Sequence, residues 1–198
     1  GKLFHFSGDS YGPVVVRKKS KTWRTSSNQC GGCLPDYAAH VINLIQSTLG
    51  TIKSARGTLM KKIWSQEVED AVYTNLILES GLSGTLSVNW SDETYRKMST
   101  SITLQGELGK IICDATELKI FLNSKNEKEN LPKGWTIKYI NELTKPVWFN
   151  LRGEEYSSQM DYFLSNVNNS KMGSLNTFLQ GAETNKIMNK ISEDNYYG

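Results

Sequence analysis

At 198 residues, with 38% hydrophobic and 22% charged side chains, the chain can bury a core of its own and has none of the bias of a disordered or fibrous protein. Its 23 basic and 20 acidic residues interleave to a net charge of +3, which gives no reason to invoke nucleic acid. No apolar run approaches the ~18 residues of a membrane span and residues 1–10 lack a signal-peptide pattern, while three cysteines, an odd and small set, point to a reducing cytoplasm.

In chain order, residues 2–10 alternate Leu3, His5 and Ser7 against Phe4, Phe6 and Gly8, which predicts a strand, with a short second one over 14–17. Residues 18–29 are polar and basic around Trp23-Arg24 and read as a loop. Helical spacing is clearest next: Leu34, Ala38, Val41, Ile45 and Leu49 step by four, three, four and four, with Pro35 near the start and Gly50 at the end. From Thr51 the pattern turns to strands over 52–59, 68–79, 84–90, 97–105, 110–114 and 118–122, with turn signals at Ser80-Gly81 and between Gly106 and Gly109. A polar loop over 123–134 precedes a strand over 135–140. Tyr156, Met160, Phe163 and Val167 predict a helix over 154–167, a further helical pattern covers 175–191, and 195–198 should fray. One helix, five to seven strands and terminal helices, with no internal repeat or long linker, predict a single α+β domain over 1–198. Its sheet is open and mostly antiparallel, with helices packed on one face.

No two glycines have exactly one residue between them, so a G-x-G-x-x-G turn is impossible, and no G-x-x-x-x-G-K-[ST] occurs. Histidine chemistry has two candidates, His5 and His40. The informative stretch is Gly31-Gly32-Cys33-Leu34-Pro35-Asp36-Tyr37-Ala38-Ala39-His40. Asp36 and His40 lie one helical turn apart and Asn43 continues their face, while Leu34, Ala38, Val41 and Ile45 occupy the opposite one. The helix dipole favours an ionised Asp36, which in turn would hold the His40 ring, giving a general base and its orienting partner for a substrate hydroxyl. A solvated Asp–His pair and a tight glycine turn into a helix account for the same residues without chemistry. Cys30-Gly31-Gly32-Cys33 before a helix could support thiol–disulfide exchange, although no β-α-β pattern precedes it. No second C-x-x-C completes a zinc site, so no metal is expected. Trp23-Arg24 reads as a packed pair or as a cation reaching for an anionic ligand, and the basic stretch from Arg17 to Lys21 as a solvated loop.

Taken in order, several segments resemble the C-terminal domain of the Gfo/Idh/MocA oxidoreductases, the glucose–fructose oxidoreductase and inositol dehydrogenase relatives. They are the Gly1-Lys2-Leu3 strand, Trp23-Arg24, Gly31-Gly32-x-x-x-Asp36-x-x-x-His40-x-x-Asn43, Glu69-Asp70-Ala71, Ser83-Gly84-Thr85-Leu86 through Asn89-Trp90, Gln105-Gly106-x-x-Gly109-Lys110-Ile111 and Arg152-Gly153-Glu154-Glu155-Tyr156. The resemblance spans essentially the whole chain. It implies a fold like the C-terminal domain of glyceraldehyde-3-phosphate dehydrogenase, with helices toward a cofactor cleft. The sheet face commonly joins subunits in such proteins, here into a homo-dimer or tetramer. It also implies that a Rossmann domain, with a Glu-Lys-Pro catalytic lysine that does not occur in these residues, belongs to the full enzyme. That enzyme would use NAD or NADP on a hydroxyl or keto group of a sugar, nucleotide sugar or polyol. Carried over by position, His40 is the acid/base residue and Asp36 binds substrate and orients the site. Asn43, Arg24 and Tyr11 are further substrate contacts, and Trp23, Arg24, Gly31 and Gly32 line the nicotinamide side. Asn43 stands where the family often has Asp, and Cys33 where it has a third small residue. This half alone is expected to fold but not to turn over. The alternatives are a non-catalytic oligomerisation or binding module and a thiol redox protein using Cys30 and Cys33.

Overall fold

In the computed structural model, which describes residues 1–16, 22–146, 148–149, 154–169 and 175–195, strand β1 (Leu3–Tyr11) alternates as its sequence does. Phe6, Gly8 and Ser10 are buried on one face, and His5, Ser7, Asp9 and Tyr11 stand half-buried on the other. The remaining strands among the described residues are β2 (Ile52–Lys61), β3 (Ala71–Leu78), β4 (Ser83–Asn89), β5 (Ser99–Gly106), β6 (Gly109–Asp114), β7 (Glu117–Leu122) and β8 (Gly134–Tyr139). They make one sheet in the order β2-β3-β4-β1-β5-β6-β7-β8. Only β1 and β4 run parallel; every other neighbouring pair is antiparallel. The first strand therefore lies mid-sheet, and the parallel pair requires a crossover, which the first helix supplies.

That helix, α1 (Ala39–Leu49), rests directly on β1. A Cβ on Gly8 would come within 2.6 Å of Val41 Cγ1 and 3.0 Å of Ile45 Cδ1, so glycine is what lets the helix approach the strand so closely. Val41, Ile42 and Ile45 pack with Phe6, Leu76, Leu86, Val88 and Trp90 in the core. Each such aliphatic side chain contributes about 1.5–3 kcal/mol by leaving water. Helix α4 packs on α1 and β2 and adds Ile187 and Ile191. It runs over Phe178–Glu193 and opens on a Thr177–Gln180 capping box. At its far end the Asp194 and Asn195 side chains accept the Thr58 and Met60 amides at 2.9 and 3.1 Å, tying down edge strand β2 where it bulges at Gly57.

The expected strand over 14–17 does not form over 14–16: the Val14 and Val15 amides both donate to the Trp90 carbonyl, at 2.7 and 3.1 Å, and residue 17 lies outside the described residues. Of the loop expected over 18–29, residues 18–21 lie outside them too, and the rest contains two 3-10 turns, Trp23–Thr25 and Ser27–Gln29. Strand β3 begins at Ala71, not at 68, because Asp70 turns back to bind the preceding loop. The helix expected over 34–49 opens on a π-turn, Leu34–Ala38. An unexpected single turn, α2 (Ile140–Leu143), follows β8. Helix α3 (Glu154–Asn169) carries its apolar Tyr156, Met160, Phe163 and Val167 exposed, and most of the segment expected to fray, 196–198, falls outside the description.

The sheet face opposite α1 carries no described helix that packs on it. Register places Ser7, Asp9 and Tyr11 beside Thr85, Ser87 and Asn89 of β4 and Thr103, Ser101 and Ser99 of β5, a surface rich in hydroxyls. Toward the β8 edge the same face turns aromatic, with Phe121 against Trp135 at 5.3 Å between ring centroids.

Candidate functional site

Two loops and the start of the first helix converge at one end of the sheet. The Gly31-Gly32 turn is held to the 3-10 turns by backbone bonds, with the Gly31 amide donating to Ser26 at 3.0 Å and the Gly32 amide to Arg24 at 2.9 Å. Behind it the loop between β2 and β3 is fixed by Asp70, which is fully buried. Its Oδ2 accepts the amides of Ile63, Trp64 and Ser65 at 2.6, 2.6 and 2.8 Å, and its Oδ1 accepts the Ser65 hydroxyl and the Trp90 indole N–H at 2.5 and 2.7 Å. Burial pushes this carboxyl up, but the Ser65 and Trp90 bonds and the backbone amides outweigh it and hold the group below its ordinary range.

The π-turn presents Asp36. The Ala39 amide reaches the Leu34 carbonyl five residues back, so Asp36 sits in a turn wider than an α-turn. Its carboxylate accepts from Arg24 Nε at 2.8 Å, and the Arg24 guanidinium lies 4.5 Å from the centroid of the Trp23 ring. The Asp36 and Arg24 side chains are 20% and 40% exposed, so the pair faces solvent rather than the core. One turn on, His40 stands exposed. Here the structure departs from the spacing argument: Asp36 pairs with Arg24 and not with His40, because the 3-10 turn delivers a guanidinium to the carboxylate. Between them Tyr37 turns inward with its ring edge-on to Trp90, and burial followed by Asp36 pushes its hydroxyl up to about 12, which removes it as a base at neutral pH.

Trp23, Arg24, Gly31, Gly32 and Asp36 are thus brought together by direct bonds, and His40 shares their helix. Asn43, half-buried, lines a shallow hollow between α1 and α4 with Gln46, Leu179, Gln180 and Glu183. Tyr11 is not brought to this group: strand alternation turns it to the opposite sheet face, where it stacks on Tyr95 at 5.5 Å. The thiols split as well. Cys30 is exposed in a left-handed conformation, whereas Cys33 is fully buried, and burial followed by Glu69 and Asp70 pushes its thiol well up. Disulfide exchange needs the opposite shift, toward thiolate.

Two acidic residues that the spacing of candidate groups does not single out, Glu69 and Asp70, do most of the local bracing. The available signal was an acidic pair immediately before a strand, but the amides they bind are supplied by loops that sequence separation hides.

Residues 1–112 match the family described as the GFO/IDH/MocA C-terminal domain. The chain belongs to that family. The match covers β1 through most of β6, so α3, α4 and the β7–β8 hairpin lie beyond it. No curated protein matches the chain. Among solved structures it is similar to levoglucosan dehydrogenase in complex with NADH and levoglucosan, at a TM-score of 0.81 and 19% identity, over 98% of this chain and 57% of that one. An NAD binding oxidoreductase from Klebsiella pneumoniae gives 0.79 and 16%, with 98% and 57% covered. GenD2 from gentamicin A biosynthesis in complex with NAD gives 0.69 and 17%, with 98% and 53% covered. At these identities the likeness is one of fold. The chain of this Gfo/Idh/MocA family member spans little more than half of each of these proteins.

Proposed function

We propose that this chain is the substrate-binding and proton-transfer half of an NAD(P)-dependent oxidoreductase acting at a CH–OH or keto carbon of a sugar, nucleotide sugar or polyol. The observation that carries the reading is the solvent-facing Arg24–Asp36 pair, followed one turn on by an exposed His40, on the helix that opens from the Gly31-Gly32 turn of a Gfo/Idh/MocA C-terminal domain. Levoglucosan dehydrogenase, whose fold this chain shares, was solved with NADH and a sugar, which supports the substrate class.

The site suits its cofactor in part. Arg24 is 40% exposed over the Trp23 ring and could meet a phosphate or a flat ring, whereas the space beside Gly31 and Gly32 is filled by the Trp23 and Arg24 carbonyls and by Glu69. Trp23, Arg24, Gly31 and Gly32 would line the nicotinamide side, while the dinucleotide grip would belong to a Rossmann domain outside these residues. The nicotinamide, when bound, supplies the hydride acceptor or donor. In oxidation His40 takes the proton of the substrate hydroxyl as the hydride leaves its carbon, and in reduction it returns that proton to the carbonyl oxygen. Asp36, held by Arg24, accepts hydrogen bonds from sugar hydroxyls and so fixes which carbon faces the cofactor. Asn43 extends the polar face. Subunits would associate through the open sheet face, and we place the enzyme in the cytoplasm on its three free cysteines.

The test is a sugar and polyol screen on the full-length enzyme with both nicotinamide cofactors, then on two variants. His40→Ala should lower kcat by about 100-fold or more while Cys30→Ser keeps wild-type turnover. Equal activity of His40→Ala and wild type would sink the reading in favour of a non-catalytic module. Loss confined to Cys30→Ser would favour thiol chemistry.

A further inference from the structure

Glu69 is a titratable group beside the site that the proposed chemistry leaves unused. It is half-buried, and its carboxylate accepts the Leu34 amide at 2.9 Å while its own carbonyl accepts the Cys33 amide at 3.0 Å. Both donors are free amides at the start of the helical segment, which otherwise has no side-chain cap. The carboxylate also occupies the space where Gly32 lacks a side chain: a Cβ there would collide with Glu69 Oε1, and Gly32 has φ +120°. From Gly32 direct bonds run to the Arg24 carbonyl at 2.9 Å, and from the Arg24 side chain to Asp36 at 2.8 Å. Burial pushes the Glu69 carboxyl up against the opposing pull of the Leu34 amide. A neutral acceptor of the same length would cap the Leu34 amide without burying a charge, so what the position supplies is an acceptor oxygen rather than a charge.

We propose that Glu69 is a positioning residue of the active site. It clamps the Gly31-Gly32 turn against the start of the helix and thereby sets the Arg24–Asp36 pair that meets the substrate. The claim rests on the function proposed above, but half of its test does not. Full-length Glu69→Ala and Glu69→Gln are compared with wild type by amide hydrogen exchange and by steady-state kinetics on whichever sugar the screen returns. In Glu69→Ala, exchange at Leu34 should rise by about tenfold or more, the effect of losing one hydrogen bond, while the core amides of Leu76 and Leu86 keep their protection. KM for the sugar should rise by roughly tenfold or more as Asp36 is misplaced, and KM for the nicotinamide cofactor should rise with it, because the loosened turn is the one that lines the nicotinamide side. Glu69→Gln retains an acceptor oxygen and should recover both readouts. If Glu69→Ala does not fold, Glu69→Asp, too short to reach Leu34 from the same Cα, takes its place. Unchanged Leu34 exchange overturns the proposal, as does Glu69→Gln as impaired as Glu69→Ala. If the wild type turns over no sugar with either cofactor, the proposed function fails, and Leu34 exchange alone decides whether Glu69 holds the turn.

Discussion

Asp70 and Glu69 are adjacent in sequence and opposite in their response to pH. Removing Asp70 would strand three backbone amides, the Ser65 hydroxyl and the Trp90 indole around a fully buried position. Asp70→Ala should therefore lower unfolding free energy by roughly 3 kcal/mol or more, measured by urea denaturation of the chain. The Asp70 carboxyl is lower in the folded chain than its ordinary 3.8, so its stabilisation is complete above that value and is lost as pH falls through the lowered folded value. Glu69 is raised above its ordinary 4.5, so the folded chain binds more protons there than the unfolded one, and stability falls as pH rises from 4.5 through the raised value. Glu69→Gln abolishes only the second effect. Its stability relative to wild type should improve as pH rises from 4.5 through the raised value, and a difference that stays flat or reverses would show that the charge is not disfavoured. At this scale the sequence was partly legible. Asp36 and His40 could be located from spacing and the glycine pair, but Asp36's partner could not, because Arg24 reaches it from a turn twelve residues earlier. Glu69 and Asp70 stand out in the sequence only as part of a pattern, since most of what they bind is backbone, and backbone amides leave no mark in sequence.

Elements were easier to read where burial repeats with a period. Strand β1 and the α1 stripe of Val41 and Ile45 declared themselves because one face of each is packed. Boundaries failed where a side chain captured the backbone: Asp70 ends the loop before β3, and the Trp90 carbonyl takes the amides that would have started a strand after Pro13. The π-turn was invisible too, for Leu34, Ala38 and Val41 fit an α-helical stripe equally well, and only the bond from Ala39 to Leu34 distinguishes it. Gly8 fixes the packing of these two elements. Gly8→Val would drive two methyls into Val41 and Ile45, which have no room to retreat because both are fully buried. It should cost about 1–3 kcal/mol through overpacking and lift the helix that carries His40, whereas Gly81→Ala, in a turn with nothing within 4 Å of its Cβ, should cost less, at most the strain of its positive φ. Thermal unfolding of the two variants decides it, and equal losses would mean that α1 does not rest on β1 as closely as Gly8 implies.

At the scale of the whole molecule, the open sheet face has two characters that follow from register alone. Its centre, around Asp9, is built from serine and threonine hydroxyls, and burial pushes the Asp9 carboxyl up against the opposing pull of the Ser7 hydroxyl, which donates to it at 3.3 Å. Its β8 edge carries Trp135, Ile137 and Tyr139 at 53%, 45% and 56% exposure, aligned with Phe121, Lys119 and Glu117 of β7. An edge strand with three large exposed apolar side chains on one face and no proline pairs readily with another chain, and the Lys119–Glu117 ion pair beside it on β7 adds a polar border. A second copy is the occupant the proposed function names, and the symmetry of a two-fold would set each hydroxyl-rich centre against its equivalent. No described helix is long and apolar enough to cross a membrane. On this argument the full-length protein should sediment as a dimer or tetramer at micromolar concentration. Trp135→Arg with Ile137→Lys places two charges on the aromatic edge while leaving the helix-facing core untouched, and it should shift the protein toward monomer with its circular dichroism preserved. A wild type already monomeric would remove the subunit role from this face. A variant that stays fully assembled would move the interface away from β8, to the hydroxyl-rich centre or to the exposed apolar side of α3.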